Sequence, residues 1–553
     1  MEATPIQNSI IGCLGNTVVM ASPGSGKTFV ISEKIKKILG DDGTLDYQGV
    51  IAISYTRKAS GNLKQRTLVD GVWSKNSFFG TIDSFCLTQI IIPFGNYVMG
   101  HSVCDILPIA YHDLTEEQKE NFRWITEEHP PYEDIKSPTW KLFYDLFVEG
   151  KVMIESLELL ALHILKKCPA CRKFIKARYK YVFIDEYQDA DEYTNDIFLE
   201  LIRLGIIGNV VGDVNQSIFG FAHKSSKYLM ALEQHPEFTP FRLATNFRCS
   251  APIINYSNRL MDNNCTLINI SDEGEEGVEL ITVNGSEERV AVYIDQYIKA
   301  DCDKNHVTDM SEVAILVKNK RTQEMIDEKL ETPHRVIEST ELDADLNPRS
   351  RLYGLLLQYY LDETMRFLTV LDDFLDFDEL TIRERKRLDQ LKEEIRSVKM
   401  AEIEDELPRL FKAVGDIILP KYEEGRATAH LESVLADKGM LDTYRPISGD
   451  EVLIMTLHKA KGLEFDIVYH LNLNQWELPY RKVINGDFDN PLYPNWEQDL
   501  DLHYVGVTRA KKACYLITST QRHNADGRIK KSSPSEFLTL NGVDKLRQND
   551  HFV

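Results

Sequence analysis

The sequence predicts an α/β protein made of two parallel-sheet units in tandem, each interrupted by a helical stretch. Three observations predict it. Short apolar runs alternate with helical patterns over the first eighty residues, and the same rhythm returns near Tyr181 and again after Gly277. A phosphate-binding loop also stands between the first strand pattern and the first long helix pattern.

The first unit opens with "TVVMA", "FVISEKIKKIL", "GVIAISYT" and "KASGNLKQRT", a strand-helix alternation typical of a parallel sheet. From about Gln89 to Tyr179 the chain is helix-rich, with "LTEEQKENFRWI" and "IESLELLALHILKKC", and reads as an insertion. "YVFID", "NVVGD" and "FRLATNFR" resume the sheet. A second set of strands follows in "GVELITV", "EVAILVK", "EVLIMTL", "DIVYHLNL" and "ACYLITS". Between them, roughly residues 343–438, the pattern is helical, and "LTIRERKRLDQLKEEIRSVKMAEIEDELPRL" carries charges at the spacing of a solvated helix face. "SDEGEEG" reads as a linker or turn. The expected division is 1–88 with 180–245, an insertion at 89–179, 246–342 with 439–545, and an insertion at 343–438.

A chain of 553 residues implies several units, roughly three to four by the usual domain size. The 43% hydrophobic and 27% charged content is that of an ordinary globular protein. The N-terminus "MEATPIQNSIIGCLG" lacks a basic stretch followed by an apolar one, and no segment has the length of a membrane span, so a cytoplasmic protein is expected. Nine scattered cysteines fit a reducing compartment. Cys168 and Cys171 form a CxxC with His163 upstream, which reads either as a loop between helices carrying two thiols or as a metal or redox site needing further ligands. The net charge of −22 does not exclude nucleic acid, because phosphate binding follows the local field; it requires that any basic surface be confined.

The segment "VVMASPGSGKTFV" sets Ala21, Ser22, Pro23, Gly24, Ser25, Gly26, Lys27 and Thr28 between strand and helix. Small residues there let backbone N–H groups wrap phosphates, and the following helix N-terminus favours negative charge. Lys27 is expected to reach the terminal phosphates of ATP, and the Thr28 hydroxyl to ligate Mg²⁺. "YVFIDE" supplies a strand-end carboxylate for the same ion at Asp185, with Glu186 placed to orient or activate water. Arg248 and Arg509 are candidates to spread charge over the transferring phosphoryl group. Asp191 and Glu192 read as the start of the next helix.

In order, Gln7, "ASPGSGKT", "SYTRKAS", "GTIDSF", "DEYQD", "VVGDVNQSIFGF", "TNFRCS", "VAILVKN", "LIMTLHKAKGLEFD" and "YVGVTRAKK" resemble the UvrD/Rep family of superfamily-one DNA helicases. The resemblance implies two RecA-like P-loop NTPase domains in tandem with ATP in the cleft between them, single-stranded DNA crossing both, and movement 3′ to 5′. By position, Gln7 would recognise adenine, Gln216 would couple the phosphate end to the DNA end, Arg248 and Arg509 would be the arginine fingers, and Glu464 would sit near the ribose. Gln188 and Asp189 would tie their loop to the segment around Gln216. DNA contacts would fall on Thr56, Arg57, Thr81, Ser84, Phe85, Phe219, Phe221, Thr456 and His458, where stacking and hydroxyl contacts tolerate any sequence.

Two departures weaken the expected DNA grip: Asp83 stands where the family usually has His, and Ala222 removes an arginine. The second insertion is also shortened. The short architecture looks most like the helicase-like subunit of the Gabija antiphage defence system, which implies an OLD-type nuclease (overcoming lysogenisation defect) as partner and a bacterial cytoplasmic setting. A DNA-end sensor with little unwinding and a stand-alone repair helicase are the alternative readings.

Overall fold

The computed structural model describes residues 3–553 except 42–44, 70–71, 105, 221–222, 271–276, 372–373, 375–379, 421, 423, 485–486 and 525. The expected linker "SDEGEE" and the residues Phe221 and Ala222 lie outside the described residues.

The first sheet has six strands: β1 (Thr17–Ala21), β2 (Gly49–Ile53), β3 (Phe78–Gly80), β4 (Tyr179–Ile184), β5 (Ile207–Gly212) and β6 (Thr239–Leu243). They pair entirely in parallel, in the order β3-β2-β4-β5-β1-β6. Strands covered on both faces read as continuous apolar runs. Alternate residues serve alternate cores: Val50, Ala52, Tyr181 and Phe183 pack with Val19, Val30 and Ile35, whereas Ile51, Ile53, Val182 and Ile184 face the other side.

That second side is covered by the inserted segment itself. Helix Leu157–Lys167 and the turn Cys86–Ile91 share one continuous core with Ile51, Val182 and Val210. The insertion is therefore not an appendage: part of it is the layer that keeps this sheet face dry. Cys168 does not sit idle between helices either, since its thiol accepts from Cys171 N at 3.4 Å and caps helix Pro169–Arg178.

The second sheet has seven strands: β7 (Val278–Val283), β8 (Val313–Val317), β9 (His334–Val336), β10 (Val452–Thr456), β11 (Phe465–His470), β12 (Ala510–Ser519) and β13 (Asp550–Phe552). The order is β9-β10-β8-β11-β12-β7-β13, again all parallel. Val313, Ile315 and Val317 enter one core, and Ala314 and Leu316 the other.

The shortened second insertion buries a core of its own around Leu352, Leu356, Leu391, Leu407, Phe411 and Leu431. The long charged segment expected as one solvated helix is two, Ile382–Ser397 and Ile403–Ile418, and each turns an apolar stripe inward. The two insertions meet at Arg426–Asp113, 3.0 Å apart. Among the described residues no helix is long and apolar enough to cross a membrane.

Candidate nucleotide site and DNA track

Because every strand of the first sheet is parallel, the loops that follow β1, β2, β3, β4 and β5 gather on one edge, where ligands of such sheets bind. The phosphate loop turns there through Gly24 and Gly26, with φ of +65° and +84°. At Gly24 a Cβ would meet Asn246 Oδ1 at 2.4 Å and Arg248 Cβ at 2.6 Å, so glycine is needed for conformation and for space. Helix Lys27–Leu39 then begins with Lys27 and Thr28 in its first turn.

Gln7 sits under this loop. Its Oε1 accepts from Thr4 N at 2.9 Å in a capping box, and its Nε2 donates to Ser25 O at 3.2 Å. The expected adenine reader is thus held at both ends, and it is the second Nε2 hydrogen that is left to meet a base.

Lys27 Nζ lies 2.9 Å from Glu186 Oε1. Burial alone lowers the Lys27 pKa, but the carboxylates of Glu186, Asp185 and Asp213 outweigh it and raise the pKa. Burial likewise works to raise Glu186, and Lys27 with Lys461 overcomes it, leaving this carboxyl depressed. Asp185 is raised, first by burial and then by Glu186. The two adjacent carboxyls are pushed apart, which is how neighbouring acids acquire different tasks. Glu186 also has φ of +58°, a left-handed conformation that costs a non-glycine residue energy and is found chiefly at functional sites.

From Glu186 a continuous relay runs away from the phosphate loop. Gln188 Nε2 donates to Glu186 Oε2 at 2.5 Å, and Gln188 Oε1 accepts from Asp213 N at 3.0 Å. Gln216 Nε2 donates to Asp213 Oδ2 at 2.8 Å. Gln216 Oε1 then faces Arg509 Nη2 at 3.4 Å, which crosses to the second lobe.

Arg509 is buried, with Nε on Val505 O at 3.1 Å and Nη1 on Leu463 O at 3.0 Å. Burial and the neighbouring Arg248 pull its pKa down to about 10. Arg248 pairs with Glu464 at 2.7 Å, and Phe247 N donates to Gly24 O at 2.9 Å, which sets this arginine against the phosphate loop. Arg509 has no carboxylate partner among the described residues and lies near Arg248, an arrangement that suits a phosphoryl group.

The second lobe also inserts Lys461, whose Nζ reaches Asp189 Oδ2 at 2.5 Å and Gln216 O at 2.6 Å. The same ammonium lies 5.0 Å from the Phe219 ring, which stacks on Tyr55 at 4.7 Å and 26°. His458 also lies against Phe219, at 5.8 Å between ring centres. A cavity of about 600 Å³ continues from His458, lined by Lys318, Asn319, Arg321, Trp476 and Tyr480 among others.

Other expected contacts fall differently. Phe85 is fully buried, edge-on to Phe78 and Tyr179, and packs the core instead of presenting a face to DNA. Arg57 donates to Asp345 O at 3.1 Å and Asp343 O at 3.4 Å in the second insertion. Thr56, Thr81 and Thr456 accept from Ala59 N, Ser84 N and Lys459 N, so their hydroxyls also cap turns, and Ser84 donates its N–H to one of these caps. Asp83 is not a repelling solvent carboxylate: burial raises its pKa, and Lys224 lies close enough to offset its charge. Asp191 accepts from Thr194 N at 2.7 Å and starts helix Glu192–Arg203 as expected.

Sequence reasoning missed Tyr55, Lys461 and Asp213. The signal was present for Tyr55, an aromatic at a strand end beside the flagged Thr56. Lys461 and Asp213 lie inside quoted motifs, but only the fold shows that they meet across the cleft.

Comparison with known proteins places two family models on the chain. The UvrD/REP helicase N-terminal domain matches residues 3–136 and 110–237, and the UvrD-like helicase C-terminal domain matches 241–345 and 356–521. Gabija protein GajB of Bacillus cereus (strain VD045) is 25% identical over 533 residues, covering 92% of this chain and 94% of that protein. ATP-dependent DNA helicase PcrA of Bacillus subtilis (strain 168) is 22% identical over 642 residues, covering 97% and 85%. PcrA of Staphylococcus aureus (strain Mu50 / ATCC 700699) is 22% identical over 635 residues. Two parallel-sheet lobes, a phosphate loop on the first, arginines brought to it beside the second and both halves matched in order make this chain a member of the UvrD/REP helicase family, with that family's ATP-dependent hydrolase activity.

Proposed function

We propose that the chain is a DNA-stimulated ATPase and 3′–5′ motor on single strands, acting in the bacterial cytoplasm in antiphage defence beside an OLD-type nuclease. The observation that carries the motor reading is the relay from Lys27 through Glu186, Gln188, Asp213 and Gln216 to Arg509, joined by Lys461 to the Tyr55–Phe219 stack. The likeness to GajB over nearly the full length of both chains supports the defence role. The division into 1–88 with 180–245 and 246–342 with 439–545, separated by the insertions 89–179 and 343–438, belongs to the same reading.

Thr28 and Asp185, with Asp213 behind them, offer hard oxygen donors at the phosphate loop. Among the described residues no three His, Cys, Asp or Glu side chains form a closed metal cage. Such an open donor set fits Mg²⁺, which keeps phosphates and waters as its other ligands. When bound, the ion neutralises charge on the phosphates.

Lys27 acts first. The terminal phosphates of ATP compete for its ammonium, and Glu186, losing its counter-ion, gains basicity toward a water. Gln188 holds the second oxygen of Glu186 and fixes the carboxylate's orientation. Arg509 and Arg248 supply positive charge as the γ-phosphoryl group transfers. Bases stacking on Tyr55 and Phe219 shift the ring that Lys461 faces, and Lys461 carries that displacement to Gln216 and Asp189.

A second reading, an ATP-hydrolysing DNA-end sensor with little unwinding, is favoured by Arg57, which is committed to the second insertion, and by the Arg426–Asp113 contact between insertions. Strand displacement on a 3′-tailed duplex, measured beside ATP turnover with single strands and with blunt ends, separates the two. Displacement by the isolated chain supports the motor; turnover stimulated by ends without displacement supports the sensor.

A further inference from the structure

Residues 159–184 contain seven Lys or Arg and no Asp or Glu, in a chain whose acids outnumber its bases by 22. The centre of this run is helix Pro169–Arg178, where Arg172, Lys173 and Lys176 are exposed. Spacings of three and four residues put Lys173 and Arg172 beside Lys176 on one helical face. None of the three forms an ion pair among the described residues.

Large aromatics stand exposed around them. Phe174 on the same helix is 39% exposed, and Tyr97 is 72% exposed; both contact Phe94, at 5.4 and 6.3 Å between ring centres. Arg178 Nε donates to Asn76 O at 3.2 Å, which ties the helix end to the loop carrying Trp73, 61% exposed. Single exposed apolar residues are common on any protein, but unpaired cations set among several exposed aromatics have the composition of a docking surface.

The topology says where this face looks. Trp73 and Asn76 precede β3, and Arg178 immediately precedes β4, so the patch lies at the N-terminal ends of these parallel strands. The phosphate loop, Thr56, Thr81, Asp185 and Gln216 all follow strands and occupy the opposite edge. A molecule on the basic face therefore competes with neither ATP nor the single strand. The single strand has its proposed track on the other edge, so the exposed aromatics of this face point to a protein.

We infer that the face formed by Arg172, Lys173, Lys176, Phe174, Tyr97 and Trp73 docks a carboxylate-rich protein surface, that of the partner nuclease. This rests on the partnership proposed above. Unpaired cations gathered on one helical face attract a partner's acids, and the aromatics beside them bury area once contact is made.

The test uses the full chain and the nuclease expressed together. R172E/K173E/K176E, and separately the milder K173Q/K176Q, are compared with wild type by size exclusion and by titration of the purified nuclease. The expected result is co-elution of the wild-type pair, loss of co-elution for the triple reversal with affinity weakened about tenfold or more, a smaller loss for the neutral pair, and unchanged single-strand-stimulated ATP turnover in both variants. A triple variant that still co-elutes with wild-type affinity overturns the inference and leaves the partnership standing. No co-elution of the wild-type pair removes the partnership and the inference together. Retained nuclease binding with weaker, less salt-dependent retention of duplex DNA assigns the face to nucleic acid and also overturns it.

Discussion

At the scale of residues, the first-lobe site is organised by which charges are shielded and which are matched. Lys27→Ala removes the ammonium that pairs with Glu186 and is expected to hold the terminal phosphates, so ATP turnover should vanish in a steady-state assay. Glu186→Ala should bind nucleotide in an equilibrium titration yet fail to turn it over. Arg509→Ala should cost about a thousandfold in DNA-stimulated turnover, the scale of an arginine finger, although the loss of four hydrogen bonds made by a buried side chain requires a melting curve alongside.

Tyr55 and Phe85 make a contrasting pair. Tyr55→Ala should weaken single-strand affinity by about tenfold, since stacking contributes about 1–3 kcal/mol per base, and should leave the melting temperature close to wild type. Phe85→Ala should instead destabilise by about 3–5 kcal/mol as a buried aromatic lost from a packed core, visible in denaturant unfolding. Motif order alone grouped Phe85 with the DNA contacts and passed over Tyr55. Burial distinguishes them, and burial is a property of the assembled layers.

At the scale of elements, the strands were readable because residues such as those of Val313–Val317 are buried on both faces and form an unbroken apolar run. Their neighbours were not. Strand order depends on crossovers, and β13 (Asp550–Phe552) pairs with β7 from more than 260 residues away in a segment with no strong strand pattern. The phosphate loop was fully legible, since its glycines obey a local conformational demand. The role of helix Leu157–Lys167 as a sheet cover was not, because an apolar helix gives the same pattern wherever its apolar surface is buried.

Strand β10 offers a test of electrostatics away from the active site. Just before it, Glu451 accepts from Arg335 Nη2 at 2.9 Å and also pairs with Arg445, whose hydrogen bonds are the main cause of a pKa depressed to about 2. A carboxyl depressed by folding stabilises above its unfolded pKa and loses that contribution as pH falls toward the folded value. The melting-temperature deficit of Glu451→Gln should therefore be full at pH 7 and shrink between about pH 4.5 and pH 2. A deficit independent of pH would assign the effect to packing.

At the scale of the whole molecule, two lobes read from sequence as separate strand sets meet through Ile218 and Phe219, which pack on the second lobe's core, and through a set of polar side chains. Gln216 and Asp213 come from the first lobe, and Lys461 and Arg509 from the second. Asp189 and Asp213 are buried and Asp501 is half-buried near this junction, and loss of solvent raises their pKa values to about 6, 6 and 8. Lys461 is the cation that Asp189 and Asp501 share, while Lys27 serves Asp213, which makes the cleft sensitive to anything that moves either ammonium. The insertions close the same assembly from outside through Arg57 and Arg426. No local pattern encodes these contacts, since their partners lie 245 to 313 residues apart.

The central claim is that this junction transmits DNA occupancy to ATP hydrolysis through Gln216. The most direct measurement is the ratio of ATP turnover with saturating single strand to turnover without it, for wild type and Gln216→Ala, with nucleotide and DNA affinities measured separately. The account predicts that the ratio falls toward one while both ligands still bind. A Gln216→Ala protein that keeps the wild-type ratio would contradict it.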